Sequence, residues 1–87
     1  MDEEEQTVIR DALRLVSAAG TSGVLKSRLL TAVRKLDGTL LDPERQSVVW
    51  NLLVARGWIV GHLEPVWHNT RWCITPKGAE ALENLAP

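Results

Sequence analysis

The sequence predicts one α+β domain, mostly helical, with a three-helix core, a two-stranded β-hairpin and a short last helix. Three observations predict it. Up to about Arg56 the apolar residues recur at helical spacing. After Gly57 the period becomes strand-like, in two short runs rich in aromatic and β-branched residues. The boundaries carry matching start and stop signals, Asp42-Pro43 and Thr75-Pro76 before helices and Gly20, Gly38 and Gly57 after them. Eighty-seven residues make a single domain, 1–87, near the lower size at which a chain buries a core of its own.

The first helix is expected from about Asp2 to Ala19. Val8, Ile9, Ala12, Leu13, Val16 and Ala19 share one stripe, and Arg10, Asp11, Arg14 and Ser17 lie opposite. Acids crowd its first turn, where the helix dipole favours them. Residues 1–5 read as an acidic leader that frays. Val24-Leu25 is a strand stub. A second helix runs from Lys26 or Ser27 to Leu36 with Leu29, Leu30, Val33 and Leu36 inward, and Asp37-Gly38 ends it as a glycine cap.

The third helix has the clearest start. Asp42 suits the N-cap and Pro43 the first helical position, where a missing N–H costs nothing. It runs to about Arg56, with Val48 or Val49, Leu52 and Leu53 as its apolar face. The strands are Trp58–Leu63 and Thr70–Ile74, joined by a turn over Glu64–Asn69. The last helix, Lys77 to about Leu85, turns Ala79, Leu82 and Leu85 inward.

Composition narrows the function classes. Hydrophobic residues at 45% and charged residues at 24% match a folded soluble chain and exclude general disorder. A single cysteine, Cys73, forbids an intrachain disulfide, and no apolar run approaches the ~20 residues of a bilayer span. The acidic start is unlike a targeting peptide, so a cytoplasmic location with no membrane contact is expected. The formal charge is −1, yet between Val24 and Lys77 eight bases face four acids. A moderately basic body behind an acidic leader is compatible with DNA contact.

No glycine-rich phosphate loop, nucleophile elbow or HExxH helix occurs, so no enzyme and no cofactor are expected. His62, His68 and Cys73, with Glu64 as a fourth, match no compact metal-ligand spacing, and no metal is expected.

Two local patterns carry a family resemblance that spans about Thr7 to Leu85. Val49-x-x-x-Leu53-x-x-x-Gly57-Trp58-Ile59 is similar to the end of a recognition helix turning into the first wing strand of MarR-like regulators. Cys73-Ile74-Thr75-Pro76-Lys77-Gly78-x-x-x-Leu82 resembles the step from the second wing strand into the next helix. With the element order, these resemble the winged helix-turn-helix superfamily, including MarR-like and ArsR-like regulators and small stand-alone winged-helix proteins of prophages. The chain departs from that pattern in a longer connection between helices two and three. It departs again in a hairpin tip carrying Pro65 and Trp67 in place of a basic cluster.

The resemblance implies a small transcriptional regulator, a homodimer paired through its first and last helices, binding double-stranded DNA. Arg45, Gln46, Ser47 and Asn51 would meet base edges in the major groove, and Lys26, Arg28 and Arg71 would hold phosphates. The plain reading of the same residues is a solvated helix face. The alternative function is a protein–protein adaptor in a larger assembly, anchored by Trp50, which lies off the main apolar stripe, and Trp67 near the wing tip.

Overall fold

The computed structural model describes residues 3–35 and 37–85. Helix α1 spans Glu3–Ala19 and buries Val8, Ile9, Ala12, Leu13 and Val16 on the stripe that helical spacing selects. Glu3, Glu4 and Glu5 form its first turn, in keeping with a helix expected from about Asp2. Met1 and Asp2 lie outside the described residues. Gly20, at φ +59°, leaves the helix in a conformation disfavoured for side chains, and a single 3₁₀ turn, Gly20–Ser22, follows. Val24 then forms a β-bridge with Trp72, exchanging both N–H···O bonds at 2.9 and 2.8 Å.

Helix α2 spans only Lys26–Ala32. The expected extension to Leu36 is a correction with a clear cause. Val33 turns to extended backbone, ψ 135°, while keeping its side chain in the core. Arg34 bridges Leu40, and Lys35 N–H donates to the Thr39 carbonyl at 2.8 Å. Asp37-Gly38 therefore turns a small excursion instead of capping a helix. Gly38 sits at φ +86° and the Asp37 carboxylate accepts from the Thr39 amide (3.0 Å) and hydroxyl (2.6 Å). Asp-Gly turn chemistry and a β-branched residue at the break outweigh the apolar spacing. Leu30 is half-buried, and Leu36 lies outside the described residues.

Helix α3 spans Pro43–Ala55, with Asp42 as N-cap accepting from Arg45 N–H at 2.8 Å. Gly57 closes it at φ +69°. Val49, Trp50 and Leu53 are buried and Leu52 half-buried, while Val48 points outward at 52% exposure. Trp50 thus belongs to the core, against the expectation of an interface anchor. Its ring meets Trp72 edge-to-face, centroids 4.6 Å apart at 87°, a favoured aromatic geometry.

Strand β1, Ile59–Glu64, pairs antiparallel with β2, Asn69–Ile74, in a register running from Ile59↔Ile74 to Glu64↔Asn69. The inner face carries Ile59, Gly61, Trp72 and Ile74. A Cβ on Gly61 would lie 2.8 Å from Thr70 Cγ2 and 3.1 Å from the Trp72 ring, so the tryptophan lies over a glycine. Pro65–His68 make the turn, with His68 at φ +56° and its N–H bonded to the Glu64 carbonyl at 2.8 Å.

Helix α4, Pro76–Leu85, starts at Thr75, whose Oγ1 donates to the Gly57 carbonyl (2.6 Å) and accepts from Gly78 N–H (3.0 Å). Gly78, Ala81, Leu82 and Leu85 face the body, whereas Ala79, expected inward, is exposed. The described residues form an α+β domain, mostly helical, with four α-helices and one two-stranded antiparallel sheet. Among them no helix is long and apolar enough to cross a membrane.

Candidate nucleic-acid interface

The start of α2, the start of α3 and the distal half of β2 converge on one open cleft of about 650 Å³. Leu25, Leu30 and Trp72 supply apolar lining, and Lys26, Gln46 and Thr70 supply polar groups. The Val24–Trp72 bridge places α2 beside the hairpin, and the Asp42 cap orients the first turn of α3.

The residues singled out from sequence fall into three groups. Lys26, Arg28, Arg45, Ser47 and Asn51 are all exposed. Lys26 is also positioned: its Nζ lies 4.9 Å from the centroid of the Trp50 ring, where the π face attracts a cation. Gln46 is half-buried, and its Nε2 donates to the carbonyls of Leu41 (3.3 Å) and Leu30 (3.5 Å). Those bonds brace α2 against the entry to α3, which occupies the amide expected to read a base. Arg71 is half-buried and its Nε donates to Glu64 Oε2 at 3.3 Å, a partly exposed ion pair that offsets the charge expected to hold a phosphate.

Arg45 is separated from Lys26. It lines a different depression, shared with Glu4, Lys35, Asp37 and Asp42. There the Thr39 hydroxyl, and after it the Thr39 N–H, hold the Asp37 carboxyl below the ordinary aspartate range. Arg45 therefore projects among acids of both the turn and α1.

Charge is divided by element. On α2, α3 and the hairpin, Lys26, Arg28, Arg45 and Arg71 outnumber Glu44 and Glu64 by two. On α1 and α4, six acids outnumber Arg10, Arg14 and Lys77 by three. A near-neutral chain thus has a basic set of elements and an acidic set.

Of the two tryptophans proposed as anchors, only Trp67 is exposed, at 68%. Sequence reasoning missed its company: Leu63 is 65% exposed and Val66 75%. Alternation along β1 puts Leu63 on the face of Ile59, but the hairpin runs past the body and leaves that end of the face uncovered. His62, His68 and Cys73 are spread over the hairpin, and among the described residues no group of three or more His, Cys, Asp or Glu could hold a metal ion. No protein-family model, curated protein or solved structure matches this chain.

Proposed function

We propose that this chain is a winged-helix domain that binds double-stranded DNA and acts as a small transcriptional regulator. In this reading α1, α2 and α3 are the helical core, the Val24 stub and the two strands are the wing sheet, and α3 is the major-groove helix. The observation that carries it is the charge division, which concentrates cations on the three elements a winged helix turns toward DNA. Fixed cations on a near-neutral protein still attract a polyanion locally, and the acidic α1 and α4 would orient the approach.

Lys26 and Arg28 supply phosphate contacts. The base-reading surface is the outer face of α3, with Arg45, Ser47 and Asn51 as hydrogen-bonding groups and Val48 placed to meet a thymine methyl. Gln46 supports this surface from beneath. Arg71 adds charge only where its pairing with Glu64 opens.

The test is fluorescence anisotropy with random-sequence duplexes. Lys26→Ala with Arg28→Ala should weaken every sequence alike, whereas Asn51→Ala should flatten sequence preference by about 1–3 kcal/mol at one position. Unchanged affinity in both variants overturns the docking pose. The adaptor reading is favoured by one observation, the exposed Leu63, Val66 and Trp67 on the hairpin.

A further inference from the structure

Strand β1 has a partner on one edge only. The sheet order is β1-β2, and the Val24 bridge attaches to β2, so among the described residues nothing pairs with the other edge of β1. The direction of its backbone groups follows from the register. The Trp58 carbonyl accepts from Thr75 N–H at 3.0 Å, one step beyond Ile59↔Ile74. Bonded and non-bonded pairs alternate along an antiparallel ladder. Val60, His62 and Glu64 therefore turn their N–H and C=O groups to β2, while Ile59, Gly61 and Leu63 turn theirs to the free edge.

Exposed strand edges in monomeric proteins usually carry protection: a proline, a lysine, a bulge or a covering loop. Within Ile59–Glu64 there is no proline or lysine, and the register with β2 runs without a bulge. Instead this hairpin holds the densest set of exposed apolar side chains in the described chain, Val60 (42%), Leu63, Val66 and Trp67. The outer faces of α1 and α4 offer a second copy far less. Their one large exposed hydrophobic is Leu15, at 38%, among charged residues.

We propose that β1 is a homodimerisation edge, at which two copies pair β1 to β1 antiparallel across a twofold axis and continue one sheet through both molecules. The occupant is a second copy because the edge is self-complementary. A twofold normal to the sheet preserves its faces, and it sets Gly61 of one strand opposite Leu63 of the other, using the outward groups of both. On the inner face the opposing leucine meets the Trp72 ring, which lies over Gly61. Area agrees: Trp67 alone offers roughly 150 Å². With Val60, Leu63 and Val66 the apolar part approaches about half of the roughly 800 Å² per partner of a standard interface, and the strand backbone adds to it. This pairing does not depend on the DNA reading, and it leaves the exposed faces of α2 and α3 outside the seam.

The experiment is sedimentation velocity without DNA, from about 5 to about 500 µM chain, because a weak dimer declares itself by mass action. The wild type should move from one chain mass, 9.7 kDa, to twice that value across the series. Leu63→Lys should stay at one chain mass throughout with its thermal midpoint unchanged when dilute, and Leu15→Lys should dimerise like the wild type. Amide exchange at Gly61 and Leu63 should slow as concentration rises. A wild type of one chain mass at the top of the series overturns the proposal. So does a Leu63→Lys dimer, a dimer lost with Leu15→Lys, or exchange at Gly61 and Leu63 that ignores concentration.

Discussion

Replacing Gly78 with alanine sets two known effects against each other. Gly78 lies inside α4, and by propensity alone alanine there stabilises a helix by about 0.8–1 kcal/mol. The packing says the reverse. A Cβ at Gly78 would sit 2.1 Å from the Trp58 carbonyl oxygen and 2.9 Å from both the Trp58 carbonyl carbon and Ile74 Cγ1. The nearest obstacle is backbone, which cannot rotate away as a side-chain end can. Helix α4 must lift by roughly 1 Å to reach ordinary contact. That motion strains the Thr75 N–H bond to the Trp58 carbonyl (3.0 Å) and the Thr75 Oγ1 bond to the Gly57 carbonyl (2.6 Å).

Each such bond is worth about 1 kcal/mol and overpacking costs about 1–3 kcal/mol, so after the propensity gain Gly78→Ala should lose roughly 2–4 kcal/mol. For a domain of this size that is a fall of roughly 10–25 °C in Tm. Urea titration and thermal melting followed by circular dichroism measure it, with Ala79→Gly as the companion. Ala79 is exposed on the same helix, so that variant should lose only about 1 kcal/mol. A Gly78→Ala protein as stable as the wild type, or more so, would refute the close approach of α4 to Trp58 and with it the account of how the last helix docks.

Four further outcomes follow from the same geometry. Trp50→Ala should cost about 3–5 kcal/mol because the ring is buried against Trp72, whereas Trp67→Ala should stay within about 0.5 kcal/mol of the wild type in urea. Equal losses would contradict their different placement. Asp42→Ala should cost about 1 kcal/mol through loss of the cap on Arg45 N–H, while Asp42→Asn retains most of it. Asp37 should titrate below the ordinary aspartate range, and Thr39→Ala should bring its NMR midpoint back up. The sign is that of a depressed carboxylate: the turn's contribution is complete above the unfolded group's range and is lost as pH falls through the lowered folded value. A midpoint unmoved by Thr39→Ala would remove the assigned cause. Gln46→Ala should lower stability by about 1 kcal/mol with little change in sequence preference, since its amide bonds the Leu30 and Leu41 carbonyls, and a change in preference alone would restore it as a base reader.

What was legible in the sequence was whatever local chemistry decides. Asp42-Pro43, Thr75-Pro76 and the glycines after α1 and α3 set element ends that hold to within a residue or two, because caps and positive φ act through adjacent atoms. The α1 stripe is legible for the same reason, since one face alone is buried. What was not legible depends on distant partners. The end of α2 is decided by a competing turn at Asp37-Gly38 and a bridge from Arg34 to Leu40, which apolar spacing cannot see. Trp50 lies off the stripe of its own helix yet is buried, because Trp72 from the hairpin meets it there. Leu63 follows the inward alternation but lies where the hairpin runs past the body. The candidate site divides the same way: exposed positions on α2 and α3 follow from helical geometry, while the pairing of Arg71 and the bracing by Gln46 are tertiary.

The central claim, that the basic elements bind duplex DNA, is tested most directly by the salt dependence of the full chain's affinity for a random-sequence duplex. If Lys26 and Arg28 each neutralise a phosphate, the slope of log affinity against log salt is about −1.8, and affinity falls roughly 12-fold between 50 and 200 mM. A fall of that size is the predicted result. Absence of binding at 50 mM, or an affinity indifferent to salt, contradicts the account.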